Sequence, residues 1–171
     1  MINNNELLYI VDEHDVPVTP VSRQEAFKKG LWRRTAHVWI INSKNQILCQ
    51  KRSLKKDNSP GMWEPAVAGH LSPGDNYFTG AVREVREETG IPIETHHLNL
   101  LKIYKDRKYR EYRGIFYCNW EVDANQIKIE EDEVETVKFI NLKTVKNYIL
   151  YQKHEMWVSP EYAKEMFSVL K

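Results

Sequence analysis

The feature that most constrains this chain is an acidic run near its middle, REVREETG at residues 83–90. Its carboxylates Glu84, Glu87 and Glu88 stand at positions i, i+3 and i+4, so a helix would place them on one face. A separate apolar stripe at helical spacing is formed by Phe78, Ala81, Val82 and Val85. Neighbouring like charges destabilise an isolated helix, and a hard divalent cation with oxygen ligands would offset that repulsion. The run therefore predicts an amphipathic helix with a metal-binding edge.

The residues around this run predict where the helix begins and ends. Residues 72–75 (SPGD) have turn chemistry, and either Asp75 or Asn76 can cap the helix N-terminus. Gly90 stands where a left-handed C-cap is wanted, and Pro92 prevents the helix from continuing. The sequence thus predicts a loop, an amphipathic helix and a second loop, with the acidic edge turned toward the first loop.

Together with its flanks, the segment resembles the Nudix box, G-x5-E-x7-R-E-U-x-E-E-x-G-U, in which U is an aliphatic residue. The matching positions are Gly69, Asp75, Arg83, Glu84, Val85, Glu87, Glu88, Gly90 and Ile91. Asp75 departs from the pattern because the family has Glu there, and we expect it to cap or brace the helix with a shorter reach. The resemblance implies the Nudix fold, an α/β/α sandwich in which a mixed β-sheet lies between α-helices. It also implies hydrolysis of a diphosphate linkage, typically in a nucleoside diphosphate joined to another group.

Composition fits one soluble domain over residues 1–171, with 42% hydrophobic and 29% charged residues. The net charge of +1 provides no global field that would attract nucleic acid or a membrane. Cys49 and Cys118 lie in predicted strands, and we interpret them as small buried residues in a reducing compartment. The sequence contains neither a secretory leader pattern nor an apolar run long enough to span a membrane, so we expect a cytoplasmic protein.

The coarse pattern predicts strands interspersed with helices and no simple strand–helix alternation. Strands are predicted at residues 7–11, 36–41, 46–50, 98–105, 114–122 and 137–140, with a hairpin at 36–50. Besides the acidic helix, helices are predicted from the Ser22–Glu25 capping box to Gly30, from Asn141 or Leu142, and from Ser159-Pro160-Glu161. This mixture favours an α/β fold with a mixed sheet between helices.

The resemblance to the Nudix family also implies the roles of the site residues. Glu84, Glu87 and Glu88 would bind Mg²⁺, with Mn²⁺ as the alternative ion, and the carbonyl of Gly69 would add a ligand. Arg83 would orient a glutamate, since Arg83 and Glu87 are spaced i, i+4. A bound divalent ion would neutralise diphosphate oxygens and activate water, and Glu87 and Glu88 therefore count as catalytic. The general base is assigned to Glu133, although its acidic stretch, residues 130–133, equally fits a solvated loop.

A second resemblance links residues 8–91 to the Nudix branch that includes isopentenyl diphosphate isomerase. The residues that carry it are 30–34, 37–40, 50–53, Lys56, 60–63 and 68–70. Where the isomerase has a catalytic cysteine, this chain has Ala68, whose methyl group can neither donate nor accept a proton. One metal histidine is replaced by Arg33. His70 matches another, but without its companions we expect it to contact phosphate or to make a structural hydrogen bond. The likeness therefore implies kinship of fold and argues against isomerase activity.

Two basic segments are candidates for binding substrate or nucleic acid. Lys51 and Arg52, followed by Lys55 and Lys56, could receive the phosphates of a small-molecule diphosphate, and Arg52 suits a bidentate contact. Residues 102–113 interleave cations with tyrosines, a pattern seen in RNA-binding surfaces. A surface hairpin explains the same pattern better, so a nucleic-acid partner is not favoured.

The alternatives from other functional classes are a non-catalytic Nudix-fold regulator that binds a nucleotide, and an isomerase. All box glutamates are present, which favours a hydrolase over the regulator, and Ala68 disfavours the isomerase. The sequence leaves the substrate open among sugar nucleotides, dinucleotides, nucleoside triphosphates and other diphosphates. Many relatives dimerise, and a homodimer is compatible with this chain.

Overall fold

The computed structural model describes residues 5–56, 58–152 and 156–170 and consists of β-strands and short helices. The strands are β1 Leu7–Leu8, β2 Ile10–Val11, β3 Val21–Ser22, β4 Trp32–Ile41, β5 Gln46–Arg52, β6 Trp63–Glu64, β7 Val67–His70, β8 Asn99–Asp106, β9 Glu111–Asn119 and β10 Val134–Asn141. The helices are α1 Arg23–Lys29, α2 Tyr77–Thr89, α3 Leu142–Lys146 and α4 Ala163–Val169, with a π-helical segment at Asn147–Gln152.

Strand β4 is the centre of the main sheet, whose order is β10-β5-β4-β9-β8. It runs parallel to β9 and antiparallel to β5, which it meets where Ile41 pairs with Ile47. Beyond that point β6 pairs with β5 and β7 pairs with β4. The two short strands thus occupy the space between β4 and β5, and they carry the loop that leads to α2.

The two faces of the sheet are covered by different helices. Alternate residues of a strand point to opposite faces. On β4, Ala36 and Val38 belong to the hydrophobic cluster that contains Val85 of α2. Trp39 belongs to the cluster that includes α3, the π-helical segment and α4, for example Phe167 of α4. The predicted α/β/α arrangement with a mixed sheet is confirmed.

The helix boundaries follow the predicted capping residues closely. The Ser22 side chain accepts a hydrogen bond from the Glu25 N–H, and α1 ends at Gly30, which has a φ of 58°. Asn76 rather than Asp75 caps α2, and its side chain accepts from the N–H groups of the first turn. Gly90 ends α2 with a φ of 69°, a left-handed conformation that favours glycine.

Several elements differ from the prediction, and the short strands β3, β6 and β7 were not predicted. The single strand expected at residues 7–11 is two strands, because the Tyr9 N–H donates to the Leu71 carbonyl between β1, which pairs with β3, and β2, which pairs with β4. The expected hairpin at 36–50 diverges after its first pair. The last helix begins at Ala163 rather than at Pro160, because the Ala163 N–H closes a turn onto the Pro160 carbonyl first.

The tyrosine-rich basic stretch is the surface hairpin β8–β9, in which Tyr104 pairs with Arg113. The predicted burial of the cysteines is confirmed, since Cys49 on β5 and Cys118 on β9 are both 0% exposed. Within the described ranges, every helix is too short or too polar to cross a membrane.

Candidate active site

A cavity of about 710 Å³ opens between the strands of the sheet and the acidic edge of α2. Its size is typical of sites for small organic ligands. The wall residues come from α1, β4, β5, β6, β7, α2, β8, β9 and the segments 130–133 and 158–162. Among the described residues, seven of the eight predicted site side chains line it: Arg52, His70, Arg83, Glu84, Glu87, Glu88 and Glu133. The backbone of Gly69 also lies in the wall.

Gly69 lies against the carboxyl group of Glu84. A Cβ atom built on Gly69 would be 1.8 Å from Glu84 Oε2 and 2.1 Å from its Cδ. Non-bonded carbon and oxygen atoms do not approach so closely, so the buried carboxyl group occupies the space that a side chain at this position would need. Strand β7 and the third turn of α2 therefore meet at the cavity wall, as the predicted metal site requires.

Arg83 ties the acidic face of α2 to the preceding loop. Its guanidinium donates to Asp75 Oδ2 from Nε at 3.2 Å and from Nη2 at 3.0 Å, and to the His70 carbonyl at 2.8 Å. Nη1 lies 2.9 Å from Glu84 Oε1 and 2.8 Å from Glu87 Oε2. Arg83 thus orients two of the predicted ligands, and Asp75 braces Arg83 in place of the usual glutamate.

Glu88 belongs to a second buried network that the sequence reasoning missed. The Gln50 side-chain amide donates to Glu88 Oε2 and to Glu64 Oε1, each at 3.0 Å. Arg52 donates to the same oxygen of Glu64 at 2.8 Å and to the Asn58 carbonyl at 3.0 Å. Glu64 is 8% exposed, and together with Glu84, Glu87 and Glu88 it forms what we call the acidic wall of the cavity. The sequence signal that could have identified Glu64 is its position as a single acidic residue between Trp63 and Pro65.

The buried carboxylates lack cations that would fully compensate their charge. Burial raises the pKa of Glu84 to about 7, against the opposing effect of Arg83. Burial also raises the pKa of Glu88 well above its usual range, and nearby Glu84 and Glu64 add to the shift. A divalent cation would supply the missing charge, and carboxylate and carbonyl oxygens are the donors that Mg²⁺ and Mn²⁺ prefer.

The donor set is not already gathered around one point. In the described part of the chain, no three acidic, histidine or cysteine side chains are arranged as a ready-made metal site. Arg83 pairs with Glu84 and Glu87, while Gln50 holds Glu88. The residues fit a divalent ion by their chemistry, and binding would require their carboxyl groups to turn from these partners.

The predicted base and the predicted phosphate contacts occupy different places. Glu133 lies in the cavity wall, where its carboxylate contacts the Lys56 ammonium. Arg52 also lines the cavity, but Lys51 does not: its ammonium bonds Glu135 at 2.7 Å. Lys51 is therefore corrected from a substrate contact to a partner of Glu135, because alternate strand residues point to opposite faces.

His70 is partly buried beside α1, with its side chain 13% exposed. Its Nδ1 lies 3.4 Å from Arg23 Nη1, and its ring meets the edge of Phe27 at 5.7 Å between centroids. Burial, with Arg23 and Arg33 nearby, holds the pKa of His70 well below its usual range, so the ring is neutral. A second partly buried histidine, His37, also lines the cavity and was not predicted as a site residue.

The chain has an α/β/α fold with a cavity lined by Glu84, Glu87 and Glu88 of α2. A model of the NUDIX domain matches residues 31–162. With more than half of its length matched, the chain belongs to the Nudix family. It is 37% identical over 135 residues to an uncharacterized Nudix hydrolase of Pseudomonas aeruginosa, with 79% of this chain and 78% of that protein covered.

Further relatives include both a Nudix hydrolase and an isopentenyl-diphosphate isomerase, and a solved structure shares the fold. An uncharacterized Nudix hydrolase of Clostridium acetobutylicum is 31% identical, with 75% of this chain and 66% of that protein covered. An isopentenyl-diphosphate Δ-isomerase of Pectobacterium atrosepticum is 38% identical over 82 residues, with 48% of this chain and 46% of the isomerase covered. The chain thus spans less than two thirds of these two relatives. A crystal structure from Deinococcus radiodurans shares the fold, with a TM-score of 0.70, 17% identity, and 96% of this chain and 99% of that chain covered.

Proposed function

We propose that this chain hydrolyses a diphosphate linkage, with water attacking phosphorus and a nucleoside diphosphate joined to another group as the substrate type. The observation that carries the proposal is the convergence of Glu84 and Glu88 on the cavity wall beside Gly69, with Arg83 bracing the helix edge. Two carboxylates that are buried, with raised pKa values, indicate a place where positive charge belongs.

In this proposal Glu84, Glu87, Glu88 and the Gly69 carbonyl hold Mg²⁺ or Mn²⁺. When bound, such an ion neutralises phosphate oxygens and lowers the pKa of a water. Before the ion binds, Arg83 holds Glu84 and Glu87 at the cavity wall, and its contact with the His70 carbonyl fixes the end of β7 beside Gly69.

Other residues of the wall bind the substrate and accept the proton. Arg52 directs a guanidinium into the wall beside Glu64, where its fork suits a phosphate. Glu133 is the proposed general base, and its contact with Lys56 positions the carboxylate at the cavity rim. Proton transfer from the attacking water to Glu133 would generate the nucleophile.

Isomerisation is not the proposed reaction because Ala68 lies in the cavity wall where the isomerase has its cysteine. Cys49 and Cys118 do not replace it. Both are buried, and burial raises the pKa of each thiol. In the described residues, no thiol lines the cavity.

The test is turnover of a substrate panel by the purified chain. Sugar nucleotides, dinucleotides, nucleoside triphosphates and isopentenyl diphosphate are each supplied with Mg²⁺ or Mn²⁺. We expect phosphate or nucleoside monophosphate release that chelation abolishes. Glu88→Gln is expected to lower kcat by about 100-fold or more, because a lost ligand removes several kcal/mol of transition-state stabilisation.

The matched control is Glu135→Gln, which changes a half-exposed glutamate that pairs with Lys51 outside the cavity. It should leave kcat and KM unchanged. Tight nucleotide binding without turnover would favour the regulator instead, and conversion of isopentenyl diphosphate to its isomer would restore the isomerase reading.

A further inference from the structure

Glu64 differs from the other three glutamates of the acidic wall in the element that carries it. Glu84, Glu87 and Glu88 lie on α2, whereas Glu64 lies on β6, directly opposite Gln50 of β5. Glu64 nonetheless lines the cavity, with its side chain 11% exposed. Its place in the wall is compatible with two roles, a fourth ligand for the ion or a support for a neighbouring side chain.

The carboxyl group of Glu64 already has a cation of its own. Glu64 Oε1 accepts from Arg52 Nη1 at 2.8 Å and from Gln50 Nε2 at 3.0 Å, so two donors converge on one oxygen. The Arg52 side chain is only 16% exposed, and moving Glu64 onto an ion would leave this guanidinium without its carboxylate, which is costly for a largely buried charge. Arg83, by contrast, keeps Asp75 when its glutamates turn to an ion. The pairing therefore favours the supporting role.

Gln50 separates Glu64 from Glu88. Its amide nitrogen lies 3.0 Å from Glu64 Oε1 and 3.0 Å from Glu88 Oε2. The two N–H bonds of one amide point in different directions, so the amide lies between the two carboxyl groups and keeps them apart. Gln50 is 4% exposed, and its Oε1 has no hydrogen-bond partner. Turning the amide over would bring this oxygen against carboxylates that only accept hydrogen bonds, so Glu64 stays directed to Arg52.

The backbone of β5 and β6 holds Arg52 and Glu64 on one face of the sheet. Gln50 and Arg52 are two residues apart on β5 and share a face, and Glu64 lies opposite Gln50 on that face. The Arg52 N–H donates to the Met62 carbonyl at 2.9 Å, and the Gly61 N–H donates to the Arg52 carbonyl at 3.1 Å. A paired backbone therefore sets the distance between the carboxyl group and the guanidinium.

Arg52 keeps one donor group for a ligand. Its Nε donates to the Asn58 carbonyl at 3.0 Å and its Nη1 donates to Glu64, so two nitrogen atoms of the planar guanidinium are fixed. Among the residues that the structure describes, Nη2 has no acceptor, and Arg52 lines the cavity. A guanidinium held at two nitrogen atoms cannot swing away, and its third nitrogen is left for a phosphate oxygen.

We infer that Glu64 is a positioning residue, which orients Arg52 toward the diphosphate and does not ligate the ion. The inference rests on the proposed function, in which Arg52 contacts a phosphate. Gln50 supports this arrangement, because it keeps the Glu64 carboxyl group turned to Arg52. The acidic wall thus has two parts, the α2 glutamates that hold the ion and a β6 glutamate that serves substrate binding.

The test is Glu64→Asp, which keeps the charge and withdraws the carboxyl group by one methylene. The probe is methylenediphosphonate, a diphosphate analogue whose P–C–P bridge is not hydrolysed, and its binding is measured by calorimetry at saturating Mg²⁺. We expect its dissociation constant to rise by about tenfold, as for one lost hydrogen bond between charged groups. Mn²⁺ affinity without the analogue, titrated by electron paramagnetic resonance, should be unchanged, because no ion ligand has moved.

A second background tests whether Glu64 acts through Arg52. In Arg52→Gln, the further change Glu64→Asp should leave the affinity for methylenediphosphonate unaltered, since the group that Glu64 orients is gone. The matched control is Glu135→Asp, the same substitution in a glutamate that pairs with Lys51 outside the cavity. It should change neither the analogue affinity nor the Mn²⁺ affinity. For any panel substrate that is turned over, Glu64→Asp should raise KM and leave kcat unchanged.

Several results would overturn the inference. A loss of Mn²⁺ affinity in Glu64→Asp as large as that in Glu88→Gln would make Glu64 an ion ligand. An unchanged dissociation constant for methylenediphosphonate, the same rise in the Arg52→Gln background, or no binding of the analogue by the ion-loaded wild type would show that Glu64 does not orient Arg52 toward a diphosphate. Binding of the analogue without turnover of any panel substrate would remove the proposed hydrolysis alone.

Discussion

At the residue scale, the site depends on a side chain that is missing. Gly69 brings the β7 backbone against Glu84 because it has no Cβ, and its φ is not in the left-handed region that would otherwise require glycine. The requirement for glycine here is therefore steric, and it comes from the carboxyl group of Glu84, 15 positions away in the chain on the third turn of α2.

Gly69→Ala is expected to abolish most divalent-ion affinity. The new methyl would displace the Glu84 carboxyl group, and a displaced ligand typically weakens metal binding by about 10- to 100-fold. Titration of Mn²⁺ by electron paramagnetic resonance measures this directly. The control is Gly74→Ala, where no atom lies within 4 Å but φ is 93°. That variant should lose about 1 kcal/mol of stability and keep its ion affinity. Equal ion affinity in both variants would contradict the steric role of Gly69.

At the scale of the element, α2 is stabilised by capping residues close to it in sequence, while its glutamates act in a cavity built from distant segments. Its capping box joins Asn76 and Thr79: the Asn76 side chain accepts from Thr79 N–H at 3.0 Å, and Thr79 Oγ1 accepts from Asn76 N–H at 2.9 Å. The opposite end stops at Gly90. These signals are contained within 15 residues, which is why the helix and its ends could be predicted from sequence.

Asn76→Ala is expected to destabilise the chain by about 1 kcal/mol, since it removes the N-cap acceptor of α2. Chemical denaturation measures the loss. Asp75→Ala provides the contrast, because Asp75 holds Arg83 and the Ser72 N–H and does not cap the first N–H groups of α2. Asp75→Ala should lower activity as well as stability, whereas Asn76→Ala should lower stability alone. A loss of activity in Asn76→Ala at a saturating ion concentration would instead show that the helix cap shapes the site.

The parts of the site that could not be predicted lie on strands rather than on α2. Glu64 and His37 reach the cavity through the pairing of β6 with β5 and of β7 with β4, which are contacts between distant positions. Periodicity assigns each residue to a face only when the strand's neighbours are known. The box glutamates needed no such knowledge because their spacing is local. Lys51 was misplaced for the same reason that Glu64 was missed.

At the scale of the whole molecule, the acidic wall makes stability depend on pH. Burial raises the pKa of Glu84 from 4.5 to about 7, so the folded chain holds this proton more tightly than the unfolded chain. Its contribution to stability is fully present below about pH 4.5 and is lost as pH rises through about 7. Glu88 acts in the same direction.

Glu84→Gln should therefore stabilise the ion-free protein increasingly as pH rises. Between pH 5 and pH 8 its advantage over the wild type is expected to grow by about 2 kcal/mol. Urea denaturation of both proteins in the presence of a chelator measures their free energies of unfolding. Subtracting one from the other cancels the contributions of the other titrating groups. Saturating Mg²⁺ should reverse the order at pH 8. If the difference in unfolding free energy between the two proteins does not change with pH, burial does not raise the pKa of Glu84.

The parallel pairing of β4 with β9 has a consequence for how the protein folds. Arg33 and Glu111, partners in this pair, are 78 positions apart, and the cavity wall draws on segments from both ends of the described chain. Closing so long a loop is slow, because its entropy is lost before the contacts form. During synthesis α2 can form early, but its glutamates would remain ordinary solvated side chains until β9 has been made and docked. Ion binding should consequently report the last stage of folding.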